Sequence, residues 1–139
     1  MSETLLQTLL NTPYVSKFGV SFDYRGDELT GLLPYKENLV GNPLIPALHG
    51  GAVGAFLEIT ASASLIVSQP LDRLPKVIDV AIDYLRPARA VDVYARAQVA
   101  RSGRRVANVR VEAWQGRRGA PVATLHGHFM ITPASKGTR

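Results

Sequence analysis

The sequence of 139 residues contains no cysteine. Disulfide frameworks, thiolate metal sites and cysteine nucleophiles are therefore excluded. The N-terminus also lacks a basic segment followed by a long apolar run, so it does not predict a signal peptide, and we expect a cytoplasmic protein. A hydrophobic share of 46% and a charged share of 19% are typical of a globular protein. The length predicts one domain over residues 1–139.

Charge is also scarce in the middle of the chain. Residues 39–70 carry Glu58 as their only charged side chain if His49 is neutral. Residues 50–67 are apolar on nearly every face, which predicts a buried helix, and the acid and nearby prolines favour a core helix over a membrane span. A buried carboxylate is costly unless it is paired. Glu58 is therefore either satisfied structurally or used chemically, and a Gly50-Gly51 helix start preceded by His49 favours chemistry.

The remaining pattern predicts one short helix and six strands around this central helix. The predicted elements are a helix over 4–11 that ends before Pro13, strands over 19–24 and 28–33, a loop over 34–48, and strands over 76–86, 91–101, 105–114 and 121–131. Small residues on the inward strand faces, Gly127 among them, are expected to leave room for the helix. Runs of strands beside a segregated helix predict an α+β fold with an antiparallel sheet curled around that helix.

Positive charge is concentrated in the second half of the chain. Nine arginines from Arg86 to Arg118 are accompanied there only by the acids Asp92 and Glu112. Guanidinium groups suit phosphate, although any single arginine is more often a solvated strand residue. Aromatic side chains do not alternate with the arginines as they do in a nucleic-acid stacking platform. The pattern fits a small phosphorylated ligand at least as well as nucleic acid, and neither nucleic acid nor a membrane is expected as a partner.

Several short motifs together resemble one family. They are Asn42-Pro43, His49-Gly50-Gly51, Glu58 nine residues after the histidine, Asp83-Tyr84-Leu85-Arg86-Pro87-Ala88 and Arg101-Ser102-Gly103-Arg104. Over about residues 15–133 the chain resembles the hotdog-fold acyl-CoA thioesterases of the phenylacetic-acid-degradation and 4-hydroxybenzoyl-CoA thioesterase type. The resemblance implies a sheet wrapped around one long central helix, a homodimer or a dimer-of-dimers tetramer, and hydrolysis of acyl-CoA thioesters without a cofactor.

The chemistry of thioester hydrolysis suits these residues. A helix start at Gly50 and Gly51 offers free N–H groups that can stabilise an oxyanion, and Glu58 can act as nucleophile or general base. Nine residues of helix rise by ~13 Å. One chain therefore cannot bring Gly50 and Glu58 to the same carbonyl carbon, so both act at one site only if two chains share it.

The resemblance also suggests helper residues. In the glutamate enzymes of this type a hydroxyl at the position of Ser62 assists the attacking water. Relatives with an aspartate use a Ser or Thr where this chain has Val77. The family also has an Asn or Gln six residues before the histidine, where this chain has Pro43, next to Asn42. The expected catalytic set is Glu58, Gly50, Gly51, His49, Asn42 and Ser62, and the expected CoA contacts are Arg86, Arg101, Arg104 and Arg105.

Structural interpretations remain open for some of these residues. His49 can cap the helix or bond a loop carbonyl, and Ser62 can bond its own helix backbone. His126 and His128 lie two apart on one strand, but no carboxylate or cysteine is spaced to join them, so no metal site is predicted. The alternative function is a non-catalytic acyl-CoA-binding protein on the same fold. A hydratase or dehydratase is disfavoured because its usual Asp and His pattern is absent.

Overall fold

The computed structural model describes residues 2–135 apart from residues 27, 43 and 45–46. Its helices are α1 (Ser2–Asn11), α2 (Pro13–Phe18) and α3 (Gly50–Ser68), with one 3-10 turn at Glu37–Leu39. Its strands are β1 (Ser21–Arg25), β2 (Glu28–Leu33), β3 (Val40–Asn42), β4 (Ala47–Leu48), β5 (Lys76–Tyr84), β6 (Val93–Ser102), β7 (Val106–Trp114) and β8 (Ala123–Met130).

Six of these strands form one antiparallel sheet in the order β1-β2-β6-β7-β8-β5. The alternation along β7 shows how the sheet forms its core, because Val109 and Val111 are buried while Arg110 and Glu112 are exposed. The buried faces of the central strands pack against α3. The predicted α+β fold, an antiparallel sheet around one central helix, is confirmed.

Helix α3 is the core of the fold. By length and composition it is apolar enough to cross a membrane, but 67% of its most apolar stretch is buried inside the fold, as predicted for a core helix. Its close approach to the sheet depends on Gly31 of β2, where a Cβ atom would lie 2.9 Å from Thr60 Oγ1 and 3.1 Å from Phe56 Cε1. A side chain at Gly31 would therefore push the helix outward.

The expectation that Gly127 makes room for the helix was wrong. A Cβ atom at Gly127 would lie 2.7 Å from Val80 Cγ1 and 2.9 Å from the carbonyl oxygen of Asp79, both on the neighbouring strand β5. The pairing of β5 with β8 shifts register between Val77 and Asp79. Gly127 therefore accommodates this irregular strand, and Gly31 is the glycine that the helix requires.

Three other boundaries differ from the predicted ones. Pro13 begins α2 and does not merely follow α1, which is consistent with the tolerance for proline at the first position of a helix. The predicted loop over 34–48 contains the small β3–β4 pair. Strand β5 ends at Tyr84, not at residue 86, because the N–H groups of Leu85 and Arg86 both donate to the carbonyl of Val122 and leave the ladder.

Candidate active site

The first turn of α3 presents free backbone donors, as the sequence predicts. The helix begins at Gly50, and His49 occupies the N-cap position without a side-chain capping bond. The N–H groups of Ala52 and Val53 both donate to the His49 carbonyl, at 3.1 and 3.2 Å. Within the described part of the chain the N–H groups of Gly50 and Gly51 have no acceptor.

Neighbouring segments fix the start of this helix in a groove. Before the helix, the Leu48 N–H donates to the Ala88 carbonyl at 2.9 Å and the His49 N–H to the Leu39 carbonyl at 2.7 Å. The Tyr84 hydroxyl, at the end of β5, donates to the Gly50 carbonyl at 2.8 Å. The groove has a volume of about 420 Å³, and Gly50, Tyr84 and Arg86 are among its lining residues. The helix start is therefore held rigidly and remains accessible.

Glu58 lies on the side of α3 that turns away from the sheet. Gly51, Ala55, Glu58 and Ser62 recur at helical spacing and are less buried than the residues between them. The sequence predicts a buried acid, whereas the structure leaves Glu58 partly exposed, because this stripe of the helix is not covered by its own chain. No described residue pairs with its carboxylate by a hydrogen bond or an ion pair. Partial desolvation raises the pKa of Glu58 above its usual value.

Ser62 lies one helical turn after Glu58 on the same stripe. Its hydroxyl makes no hydrogen bond with any described residue, whereas the Thr60 hydroxyl donates to the Phe56 carbonyl at 2.9 Å. The interpretation in which Ser62 bonds its own helix backbone is therefore not what the structure shows. A free hydroxyl beside an unpaired carboxylate can hold a water molecule between them.

The two halves of the expected site are separated within one chain. Helix α3 is continuous from Gly50 to Ser68, so the eight steps along the helix from Gly50 to Glu58 correspond to about 12 Å of rise. A single carbonyl group cannot contact both ends of that distance. The geometry of one chain thus places an acid at one point of the helix and free backbone N–H donors at another.

Comparison with known proteins gives the family. Residues 46–122, more than half of the chain, match the thioesterase superfamily. The chain belongs to this superfamily. Curated relatives in Escherichia coli K12 and Salmonella typhimurium, each named medium/long-chain acyl-CoA thioesterase YigI, are 33% identical over 88 residues. That alignment covers 53% of this chain and 56% of theirs, so the chain spans about half the length of the curated relatives it matches.

Solved structures agree with the fold. A Chromobacterium violaceum protein is 34% identical, with a TM-score of 0.74 and coverage of 96% of this chain and 93% of the other. A Ralstonia eutropha JMP134 protein described as phenylacetic acid degradation-related is 24% identical, with a TM-score of 0.78 and coverage of 93% of this chain and 98% of the other. The latter likeness shows the fold alone. The hotdog fold predicted for this chain is confirmed.

The arginines expected to contact CoA fall into two places. Arg86 lines the groove at the start of α3, but Arg101, Arg104 and Arg105 lie around the β6–β7 turn, beyond the Lys76 end of β5. The nine residues of β5 span roughly 26 Å between these ends of the sheet. One chain therefore does not bring the turn to its own helix start.

Sequence reasoning missed Arg89 and Arg117. Together with Arg86 they line a groove of about 340 Å³ that shares residues with the one at Gly50. Arg89 precedes β6 and Arg117 follows β7. Antiparallel pairing of these two strands, which the sequence predicts, already places the start of β6 beside the end of β7. The proximity of Arg89 to Arg117 could therefore have been predicted.

Two other expected features lie outside this region. Asn42 ends β3, but its side chain and all of Pro43 lie outside the described residues. His128 Nδ1 lies 2.8 Å from Asp79 Oδ1 on the adjacent strand, a pairing that residue spacing along the sequence does not reveal. No group of three metal-ligating side chains occurs within the described residues. A cavity of about 780 Å³ includes His126 but lies on the outer sheet face, away from Glu58.

Proposed function

We propose that the chain hydrolyses acyl-CoA thioesters to a free acid and CoA. The observation that carries this proposal is a partly desolvated Glu58, which no described residue pairs with, on a helix whose first two N–H groups find no acceptor among the described residues. An acid in that state, with a pKa that burial raises, is suited to general-base work. The curated relatives named acyl-CoA thioesterases support the same reaction class.

The chemistry requires two contributions at one carbonyl group. In the proposed route Glu58 takes a proton from a water molecule as that water attacks the thioester carbon, with Ser62 positioning the water. The developing oxyanion accepts hydrogen bonds from the Gly50 and Gly51 N–H groups. Collapse of the intermediate breaks the carbon–sulfur bond, and the CoA thiolate takes up a proton. Direct attack by the Glu58 carboxylate, followed by hydrolysis of the anhydride, gives the same products.

Two chains are needed to assemble that site. The separation of about 12 Å between Gly50 and Glu58 excludes a complete site within one helix. Strand β5 pairs with β8 on one side, and Val77 and Ile78 on it are 43% and 48% exposed. An exposed apolar edge strand is a ready pairing surface. We therefore propose a homodimer, alone or within a tetramer, that joins through β5 and combines the helix start of one chain with the acid of the other.

The groove at the helix start provides a place for the CoA phosphates. Arg86 borders it directly, and Arg89 and Arg117 continue the positive charge along the adjoining groove. Guanidinium groups bind phosphate in a bidentate manner. The Arg101, Arg104 and Arg105 cluster contributes in this proposal only from the partner chain, because antiparallel pairing of two β5 strands would bring opposite ends of the two sheets together.

Release of free thiol from a panel of acyl-CoAs tests the activity. The panel should contain octanoyl- and dodecanoyl-CoA, since the curated relatives are named for medium/long chains, and phenylacetyl-CoA, since the motifs of the sequence resemble the phenylacetic-acid-degradation type. Saturable turnover of at least one of them is expected. Tight binding of acyl-CoA without thiol release would favour the alternative, a non-catalytic acyl-CoA-binding protein.

A mixed dimer tests the shared site. One chain carries Glu58→Ala, and the other carries Gly50→Pro, which removes a backbone donor and adds a ring. If two chains share each site, both lesions fall in one site and the other remains whole, so two inactive parents give up to about half of the wild-type activity. Inactive heterodimers, once subunit exchange has been demonstrated by mass, would contradict the shared site.

A further inference from the structure

Tyr84 joins strand β5 to the first turn of α3 through a specific contact. It lies opposite Ala123 of β8, on the sheet face that bears the helix. A Cβ atom at Gly50 would lie 3.4 Å from its ring, and one at Gly54 would lie 2.9 Å from its hydroxyl. These two glycines are one helical turn apart; the contact at Gly50 is an ordinary van der Waals distance, whereas a side chain at Gly54 would collide with the Tyr84 hydroxyl.

The hydroxyl bond acts on one particular peptide group. The Gly50 carbonyl, which accepts the Tyr84 hydroxyl at 2.8 Å, belongs to the same planar peptide unit as the Gly51 N–H. A hydrogen bond to the carbonyl polarises that unit and strengthens its N–H as a donor. A Cβ atom at Gly51 would meet no atom of a described residue within 4 Å, which leaves room for a ligand on the described side of this residue.

We propose that Tyr84 is a positioning residue that orients and polarises the Gly50–Gly51 peptide so that the Gly51 N–H serves as an oxyanion donor. This inference rests on the proposed thioester hydrolysis. Tyr84 does not touch the reacting atoms; it acts through the peptide group. Its hydroxyl is therefore needed for turnover more than for substrate binding.

The expected effect follows from two general magnitudes. Loss of one oxyanion donor lowers kcat by about 10²–10³, and one neighbouring hydrogen bond strengthens another by roughly 10–30%. Tyr84→Phe keeps the ring and removes the hydroxyl, so kcat is expected to fall by about 2- to 8-fold, with KM unchanged. Tyr24→Phe, at an exposed tyrosine near the other edge of the sheet, is the matched control and should change neither constant.

A double-mutant cycle separates this role from packing. Gly51→Pro removes the N–H in question at a helix position where proline is tolerated. If Tyr84 acts through that donor, adding Tyr84→Phe to Gly51→Pro should leave kcat unchanged. An equal loss in both backgrounds, or wild-type kcat in Tyr84→Phe, would overturn the proposal alone. Absence of thiol release from the wild-type protein would overturn the proposed function and this inference with it.

Discussion

Replacing Glu58 by glutamine separates a chemical acid from a structural one. The amide has nearly the same shape as the carboxylate but cannot accept a proton from water. A general base contributes about 10²–10⁴ to the rate, which corresponds to about 3–5 kcal/mol of activation free energy. Glu58→Gln, like Glu58→Ala, is therefore expected to lower kcat by at least ~100-fold, while the protein remains folded.

The same substitution should raise stability at neutral pH. Burial raises the pKa of Glu58 above its usual 4.5, so the folded chain retains this proton over a pH range in which the unfolded chain has lost it. The free energy of unfolding contributed by this group therefore decreases as the pH rises through that range. Above the range the folded protein carries a desolvated charge that the variant lacks. Below pH 4.5 the stabilities should converge.

Two measurements on the same samples test both expectations. Thiol release gives kcat and kcat/KM against pH, and thermal unfolding gives Tm against pH at constant protein concentration. The acid limb of the wild-type kcat/KM profile should lie above pH 4.5, because the ionised base is required. Glu112→Gln, at an exposed acid on β7, is the control that should change neither quantity. Full activity in Glu58→Gln would refute the catalytic assignment, and lower stability at pH 7 would instead show a structural role.

Three further outcomes are expected. Arg86→Ala should raise the KM for acyl-CoA by roughly 2- to 5-fold with kcat nearly unchanged; Arg104→Ala tests the distant turn, and an unchanged KM would remove that turn from the CoA site. Gly31→Ala should lower the free energy of unfolding by about 1–3 kcal/mol in urea titrations, and adding Thr60→Ala should recover part of that loss. No recovery in the double variant would show that the close approach of Gly31 to Thr60 Oγ1 does not limit the packing of the helix. Ile78→Lys should shift the protein from dimer to monomer in light scattering and abolish turnover, whereas a stable dimer would contradict pairing through β5.

The central helix and the strands that follow it could be predicted from the sequence because their patterns are strong. Strands β6, β7 and β8 alternate apolar and polar residues, and each lies within two residues of its predicted bounds. The predicted start of α3 at Gly50 is confirmed. Burial on one face of a sheet and a glycine pair at a helix start both produce patterns among residues that are close in the sequence, and such patterns can be read from one sequence alone.

The exposure of Glu58 could not be predicted in the same way. A helix that is apolar on nearly every side gives no periodic indication of which stripe its own sheet leaves uncovered. The Asp79–His128 pair and the Tyr84–Gly50 bond were missed for a related reason. The first pair is 49 positions apart in the sequence and the second is 34 apart. Such contacts depend on strand register and on the placement of the helix.

Strand β5 connects these observations. It is the terminal strand of the six-stranded sheet, with Val77 and Ile78 exposed, while Tyr84 at its end holds the first turn of α3 through the Gly50 carbonyl. The strand proposed to join two chains is therefore also the strand that orients the proposed oxyanion donors. The acid and those donors lie about 12 Å apart in each helix. A shift of β5 at the proposed interface would therefore change the distance between Glu58 of one chain and the helix start of the other, and also the orientation of that helix start. In the proposed dimer, β5 would thus couple assembly to catalysis.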